Sequence, residues 1–185
     1  MIALKPSKGK LLIAEPSILN DKEFNRSVIY LTEHTKEGCI GFIFNKPTEF
    51  CLEDLIPEIA CDFTVYNGGP VEQENLYFIH KLPELIPNSI QIEDGIYWGG
   101  DFEILTNLLN DGTIVQGDIR FFLGYTGWAL NQLDEELKES TWTVVNNTYP
   151  DLFEVSSDDF WKNELMKFGG EYQIWANAPQ NPTLN

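Results

Sequence analysis

The chain has 185 residues, with 12 Lys or Arg against 29 Asp or Glu, so its formal net charge is −17. Hydrophobic residues make up 43% and charged residues 22%, which is ordinary globular usage and excludes disordered and collagen-like chains. A chain of this length can bury one core of its own. We expect one domain over residues 10–176, with a flexible N-terminal arm at 1–9 and a C-terminal tail at 177–185.

The uneven placement of charge restricts the class of partner. Residues 1–50 carry seven basic and six acidic side chains (net +1), whereas residues 51–185 carry five against twenty-three (net −18). Nucleic-acid binding needs clustered Lys and Arg that neutralise phosphates, so we expect no direct nucleic-acid binding. An acidic surface complements a basic one, and we expect the partner to be another protein, with a basic protein favoured.

Three further features of the sequence concern its compartment and cofactors. The longest uncharged, mostly apolar stretch, Phe121 to Gln132, is well short of the roughly 20 residues that span a bilayer. The N-terminus lacks the apolar run of a secretory signal, and three cysteines are an odd number that favours reduced thiols. We therefore expect a cytoplasmic protein without membrane contact. The cysteine spacing matches no zinc motif, and we expect no metal or other cofactor.

Runs of β-branched and aromatic residues predict eight strands. Two of them, Ser27–Glu33 and Cys39–Asn45, are joined by a short turn and predict a hairpin. Cys39–Asn45 has apolar residues on both faces, which indicates a central strand. The other predicted strands are Lys10–Ala14, Phe63–Tyr66, Leu76–His80, Ser89–Ile92, Asp118–Leu123 and Trp142–Val145.

Four helices are predicted from caps and apolar spacing. Asp101 can cap a helix that ends at Gly112, and Ser157 can cap another that ends at Gly169. Glu49–Ile56 and Trp128–Lys138 are the remaining two. Because strands outnumber helices and do not alternate regularly with them, the pattern favours an α+β fold over a doubly wound parallel sheet.

Two histidines are candidates for acid–base chemistry. His34 and His80 each end an apolar run, and the imidazoles would share a cleft if neighbouring strands brought both ends to one rim of the sheet. The alternative is structural, because a histidine at a strand end commonly bonds a loop carbonyl and fixes a turn.

Two glycine-rich segments are candidates for ligand binding. Gly124–Gly127, placed between a predicted strand and a predicted helix, could expose backbone N–H groups to an anion, with Thr126 and Trp128 adding a hydroxyl and a stacking surface. The same glycines also permit a tight turn and close packing. In the second segment, Asn67, Gly68 and Gly69 could form a ligand loop or simply a turn that needs positive φ.

The chain has only two arginines, Arg26 and Arg120. In so acidic a molecule each could grip a carboxylate through two parallel hydrogen bonds, either within the protein or on a ligand. We favour an internal salt bridge and keep Arg26 as a candidate ligand residue. The acidic run Asp134–Glu136 is interpreted as a solvated helix face.

Four ordered segments together resemble the YqgE/AlgH family of bacterial proteins. The resemblance runs from about Gly9 to Gly170. In the last segment this chain has Asn131 where the family usually has glycine. The segments are Gly9–Pro16 with Phe24–Val28, Glu33–Pro47, Gly68–His80 and Gly124–Glu136.

The resemblance implies a single α+β domain, with a mostly antiparallel, bifurcated sheet curled into a pseudo-barrel and flanked by helices. The family carries the label of transcriptional regulator, and no catalytic residues carry over to this chain. We therefore favour a non-catalytic regulator that acts by protein–protein interaction. The alternative is a small-molecule-binding protein or enzyme with a site at the strand-end rim near His34, His80 and Gly124–Gly127. Direct DNA binding is disfavoured by the charge.

Overall fold

The computed structural model describes residues 4–180, and ten strands form one sheet within this range. The strands are β1 (Lys10–Ala14), β2 (Val28–His34), β3 (Gly38–Ile43), β4 (Pro47–Cys51), β5 (Thr64–Asn67), β6 (Val71–His80), β7 (Ile90–Glu93), β8 (Ile96–Trp98), β9 (Ile119–Ala129) and β10 (Trp142–Asn146). The helices are α1 (Leu52–Leu55), α2 (Phe102–Asn110), α3 (Gln132–Lys138), α4 (Ser157–Phe168) and α5 (Tyr172–Ala176).

The sheet has the strand order β10-β1-β2-β3-β9-β6-β8-β7, and β5 joins it as a branch on β9 that also pairs with β4. All pairings are antiparallel except that of β5 with β9. The sheet curls into a half-barrel with helices around it. The predicted single-domain α+β architecture is confirmed.

Strand β9 is where the sheet divides. One edge pairs with β6 along most of its length, while the other edge pairs first with β5, up to Leu123, and then with β3, from Thr126 onward. Gly124 lies between these two pairings. The expected bifurcation of the sheet is therefore located at one short segment of one strand.

Two hydrophobic cores lie against this sheet. Consecutive residues of a strand point to opposite faces, and accordingly Phe121 belongs to one core and Phe122 to the other. The Phe122 core contains β1 to β3 and one side of α4, where Trp161 and Leu165 are buried as their spacing predicts. The Phe121 core contains β5 and the inner face of α2.

Most predicted elements are present with small boundary shifts. The hairpin is formed by β2 and β3, and β3 is central, between β2 and β9. Asp101 caps α2 by accepting a hydrogen bond from the Ile104 N–H at 3.0 Å.

Two predictions of secondary structure are wrong. Gly124–Trp128 continues β9 as a strand instead of turning into a helix, and α3 begins only at Gln132. The predicted helix Glu49–Ile56 is shortened to the single turn of α1, because β4 uses the residues up to Cys51 to pair with β5. In addition, the sequence analysis predicts none of β4, β8 and α5.

The two ends of the chain are described only in part. Gly9 at the end of the predicted arm donates a backbone hydrogen bond to Leu31 at 2.8 Å. Residues 1–3 of the arm and 181–185 of the tail lie outside the described residues. In the range 4–180, no helix is long and apolar enough to cross a membrane.

Candidate functional site: a basic cleft and an acidic groove

The two glycine-rich segments meet at the point where the sheet divides. Gly68 donates a backbone hydrogen bond to Leu123 at 2.8 Å, and its own carbonyl accepts one from the Thr126 hydroxyl at 3.1 Å. A β-carbon on Gly68 would collide with the carbonyl oxygen of Gly124, and one on Gly124 would lie 2.5 Å from that of Gly69. These three glycines and Thr126 are buried, and here they allow two backbones to pack closely. Their ligand-binding role stays a prediction.

Trp128 is fixed by a carboxylate rather than exposed as a stacking surface. Its indole N–H donates to Glu136 at 2.8 Å, and Trp142 donates to the same oxygen at 2.8 Å. The interpretation of Asp134–Glu136 as a purely solvated face is therefore wrong for Glu136. Gly127, beside Trp128 on β9, is exposed.

His80 is completely buried and both of its ring nitrogens are occupied. Nδ1 accepts a hydrogen bond from the Leu82 N–H at 3.1 Å, so Nε2 carries the proton and donates to the Gly99 carbonyl at 3.0 Å. Burial lowers the pKa of His80. The geometry is that of the structural alternative, a histidine that fixes the turn after a strand.

His34 lies in a different part of the molecule. It is exposed at the end of β2, with Nδ1 2.8 Å from the Cys39 sulfur, and burial followed by Asp134 raises the pKa of that thiol. His34 lies opposite Cys39 on β3, and Cys39 in turn lies opposite Trp128 on β9. His80 lies opposite Ile119, nine residues earlier on β9, so the two histidines are about 30 Å apart along this strand. They do not share a rim or a cleft.

A cleft of about 830 Å³ brings together two other predicted residues, Arg26 and Asn67. Lys46 and Lys162 line it too, as does one acidic residue, Asp158. We call this the basic cleft. One wall is formed by residues 176–180, whose carbonyls at 178 and 179 accept hydrogen bonds from Arg26 at 2.9 and 3.2 Å.

The expected internal salt bridges of the two arginines are not formed within residues 4–180, where the ion pairs are Lys81–Asp151 and Lys167–Glu164. Arg120 is buried and donates to two main-chain carbonyls instead, those of Phe44 at 2.7 Å and Phe153 at 2.8 Å. Backbone carbonyls and aromatic rings replace the expected carboxylates.

A second concavity, about 420 Å³, lies where β3 and β9 pair beside the β2–β3 turn. Glu33 and Glu37 line it together with the partly buried side chains of Ile40, Val71 and Tyr125. No Lys or Arg is among the residues of 4–180 that line it. We call this the acidic groove. The sequence analysis named neither glutamate as a candidate site residue, although Glu33 begins one of the segments that carry the family resemblance.

Comparison with known proteins settles the family. The family model described as AlgH-like matches residues 11–173. The chain belongs to the AlgH-like family. The UPF0301 protein BF2109 of Bacteroides fragilis is 42% identical over 184 residues, covering 97% of this chain and 92% of the relative, and a UPF0301 protein of Cytophaga hutchinsonii is 39% identical over 181 residues, covering 97% and 99%.

Two solved structures share the AlgH-like fold at low sequence identity. Protein DIP2367 of Corynebacterium diphtheriae superposes with a TM-score of 0.77 at 21% identity, covering 96% of this chain and 95% of that one. The AlgH protein of Pseudomonas aeruginosa superposes with a TM-score of 0.72 at 22% identity, covering 97% and 98%.

One departure of this AlgH-like chain from the family pattern has a simple geometry. Asn131, which stands where the family usually has glycine, has a φ of 65°, in the left-handed region. Asparagine tolerates that region better than other residues with a side chain. The position therefore keeps the backbone conformation that glycine favours.

Proposed function

We propose that this AlgH-like chain is a non-catalytic regulatory protein that acts by binding a basic segment of another protein. The observation that supports the proposal is the acidic groove, which combines two glutamates with an apolar floor and no lining cation within the described residues. Neither Glu33 nor Glu37 is in an ion pair within residues 4–180. Both carboxylates are therefore free to meet a partner's cations.

An extended basic segment fits this groove chemically. Successive side chains of an extended chain point to opposite sides, so apolar residues can rest on Ile40 and Tyr125 while intervening Lys or Arg side chains reach Glu33 and Glu37. The overall charge of −17 attracts a basic partner at long range and raises its association rate at low salt.

The same charge argues against promoter DNA as the direct target. A duplex carries one negative charge per about 1.7 Å of axis, and an acidic chain repels it. In this proposal regulation passes through a partner protein in the cytoplasm. A gel-shift assay at physiological salt should detect no sequence-specific binding by the isolated protein.

The alternative of a catalytic strand-end rim depended on a shared pocket for His34, His80 and Gly124–Gly127. His34 lines a small concavity with residues 129–131, whereas His80 is sealed inside the sheet. The two imidazoles lie beside opposite ends of β9, His34 on β2 and His80 on β6, and are too far apart to act on one substrate. The geometry therefore favours binding over acid–base chemistry at that rim.

The proposal can be tested with synthetic peptides and fluorescence anisotropy. A labelled peptide that alternates lysine with valine should bind, and the same peptide with glutamate for lysine should not. The double variant Glu33→Gln/Glu37→Gln should weaken binding about tenfold at low salt, and added salt should weaken binding to the unmodified protein.

A matched control separates the groove from the general acidity of the surface. Glu103 and Glu139 are exposed and do not line the groove. Their double substitution by Gln removes the same charge and should leave peptide affinity within about twofold. Equal weakening by the two double variants would refute the groove as the binding surface.

A further inference from the structure

Positive charge is concentrated in one cleft of an otherwise acidic molecule. Three of the 12 Lys and Arg residues of the chain, Arg26, Lys46 and Lys162, line the basic cleft, with Asp158 as its acidic residue. The net charge of the lining is +2, against −17 for the whole chain. The lining of the cleft is thus positive although the chain as a whole is acidic.

The guanidinium of Arg26 is held in a fixed position. It lies 4.9 Å from the centre of the Trp161 ring, and its Nη2 atom donates to the carbonyls of Ala178 and Pro179. A guanidinium carries five N–H donors in a planar fork, so Nη1 and Nε keep donors for a ligand. Fixing the group in advance reduces the ordering cost of binding.

The backbone of Arg26 is also held by a residue of the same cleft. The Asn45 side chain donates to the Arg26 carbonyl at 2.9 Å and accepts from the Val28 N–H at 2.9 Å. Arg26 has a φ of 55°, a left-handed conformation that is unfavourable for an arginine and must be stabilised by its surroundings. Asn45 supplies that support and delivers Lys46 as the next residue.

The two lysines are not neutralised by ion pairs within the described residues. Burial lowers the pKa of Lys46, with Glu23 and Asp21 opposing the shift, and its ammonium bonds the Glu23 main-chain carbonyl. Lys162 lies one turn after Asp158 on α4, on the same face of the helix. Both ammonium groups therefore keep donors for an anionic group.

Three segments that the sequence analysis singled out contribute to this cleft: Phe24–Val28 through Arg26, Glu33–Pro47 through Asn45 and Lys46, and the loop that starts at Asn67. The Asn67 side-chain oxygen accepts from the Gly69 N–H at 3.1 Å, which leaves its amide N–H₂ as a donor. Charged and amide donors from distant parts of the chain thus converge on one space.

We propose that the basic cleft binds a small organic polyanion, a molecule with two or more carboxylate or phosphate groups. A volume of about 830 Å³ suits a metabolite-sized ligand. Arg26 contacts one anionic group through parallel hydrogen bonds, and Lys46 and Lys162 contact a second. Asp158 restricts the cleft to ligands whose anionic groups lie on the side of the three cations.

Titration calorimetry on the full chain, with pyrophosphate and citrate as separate probes, tests the proposal. One of them should bind with a stoichiometry of one, and uncharged glycerol should not bind. Because the chain as a whole repels anions, saturable binding requires a local site. Pyrophosphate alone would assign the cleft to phosphates, citrate alone to carboxylates, and binding of both to recognition by charge.

Single variants then locate the site. Lys46→Gln and Lys162→Gln should each raise the dissociation constant about tenfold, the value of one charged hydrogen bond. Arg26→Gln should raise it more, but that change also releases residues 178 and 179, so the two lysine variants decide the outcome. The control Lys36→Gln removes an exposed cation that does not line the cleft and should change affinity less than about twofold.

Two results would overturn the proposal. The first is that neither probe produces heat or raises the melting temperature at millimolar concentration. The second is that binding is unchanged in both Lys46→Gln and Lys162→Gln, which would place the bound anion elsewhere on the surface.

Discussion

Trp128 and Trp142, from β9 and β10, donate their indole N–H groups to the same Glu136 oxygen, each at 2.8 Å, and their rings meet edge to face with centres 6.2 Å apart. The second Glu136 oxygen accepts from Gln132 at 3.0 Å. The Glu136 carboxylate on α3 thereby links the end of β9 to β10, which is an edge strand of the sheet.

Glu136→Ala should destabilise the protein by about 2–4 kcal/mol, because two partly buried donors lose a charged acceptor. Glu136→Gln retains one oxygen and should cost less. Urea unfolding followed by tryptophan fluorescence measures both. The neighbouring Glu135→Ala is the control, since that side chain is exposed, and a loss as large as that of Glu136→Ala would contradict the shared-acceptor role.

Gly68→Ala should be strongly destabilising, by about 3 kcal/mol or more, because the new β-carbon would meet the backbone of Gly124 and neither segment can move freely. Gly117→Ala adds the same methyl group with nothing within 4 Å and should change stability by about 1 kcal/mol or less. Denaturant midpoints compare the two. If Gly68→Ala cost no more stability than Gly117→Ala, the backbones of Gly68 and Gly124 would be able to move apart, which would contradict this prediction.

His80→Gln should reduce the dependence of stability on pH in the range just below about 6.5, the ordinary pKa of histidine. Burial lowers the pKa of His80, so the unfolded chain binds a proton there more readily than the folded chain. Stability from this group is therefore complete above about pH 6.5 and is lost as pH falls through the lowered pKa.

The measurement is the free energy of unfolding across that pH range for the unmodified protein, His80→Gln and the control His34→Gln. The quantity to compare is the slope of the free energy of unfolding against pH. The absolute free energy is not compared, because His80→Gln also alters two hydrogen bonds. The slope should persist in His34→Gln. A slope that persists equally in His80→Gln would assign the pH dependence to other groups.

Arg120→Lys should destabilise the protein almost as much as Arg120→Met, by about 2–4 kcal/mol, because either change leaves the carbonyls of Phe44 and Phe153 without their shared planar donor. The guanidinium also lies 4.3 Å from the centre of the Tyr66 ring, and a lysine ammonium has no planar group that can stack on that ring. Chemical denaturation provides the measurement, with exposed Lys138→Met as the control. A lysine variant as stable as the parent would show that charge alone suffices.

The sequence predicts an element correctly where the local side-chain pattern favours the same structure as the pairing with neighbouring strands. The runs around β2 and β3 are apolar, lie in register with each other and form the expected hairpin. The prediction for Gly124–Trp128 is wrong because two glycines and a threonine give this segment the composition of a turn. Pairing of this segment with β3 and β6 on its two edges outweighs that local preference.

The two proposed binding surfaces could be predicted only in part from the sequence. Arg26 and Asn67 were candidates, but Lys46 and Lys162 are separated by 116 positions and nothing local indicates that they meet. The one local indication for Lys46 was its place in the Asn45–Pro47 segment, which follows a predicted central strand. The prediction that His34 and His80 share a rim is wrong because the side-chain pattern of a sequence indicates where strands end but not the order of the strands in the sheet.

Because Phe121 and Phe122 belong to different cores on opposite faces of β9, one strand carries part of both cores, and we expect the two cores to unfold together. The amide protons of these two residues should therefore exchange with solvent only when the whole molecule opens, and exchange of either one through a local opening would show that the two cores unfold separately.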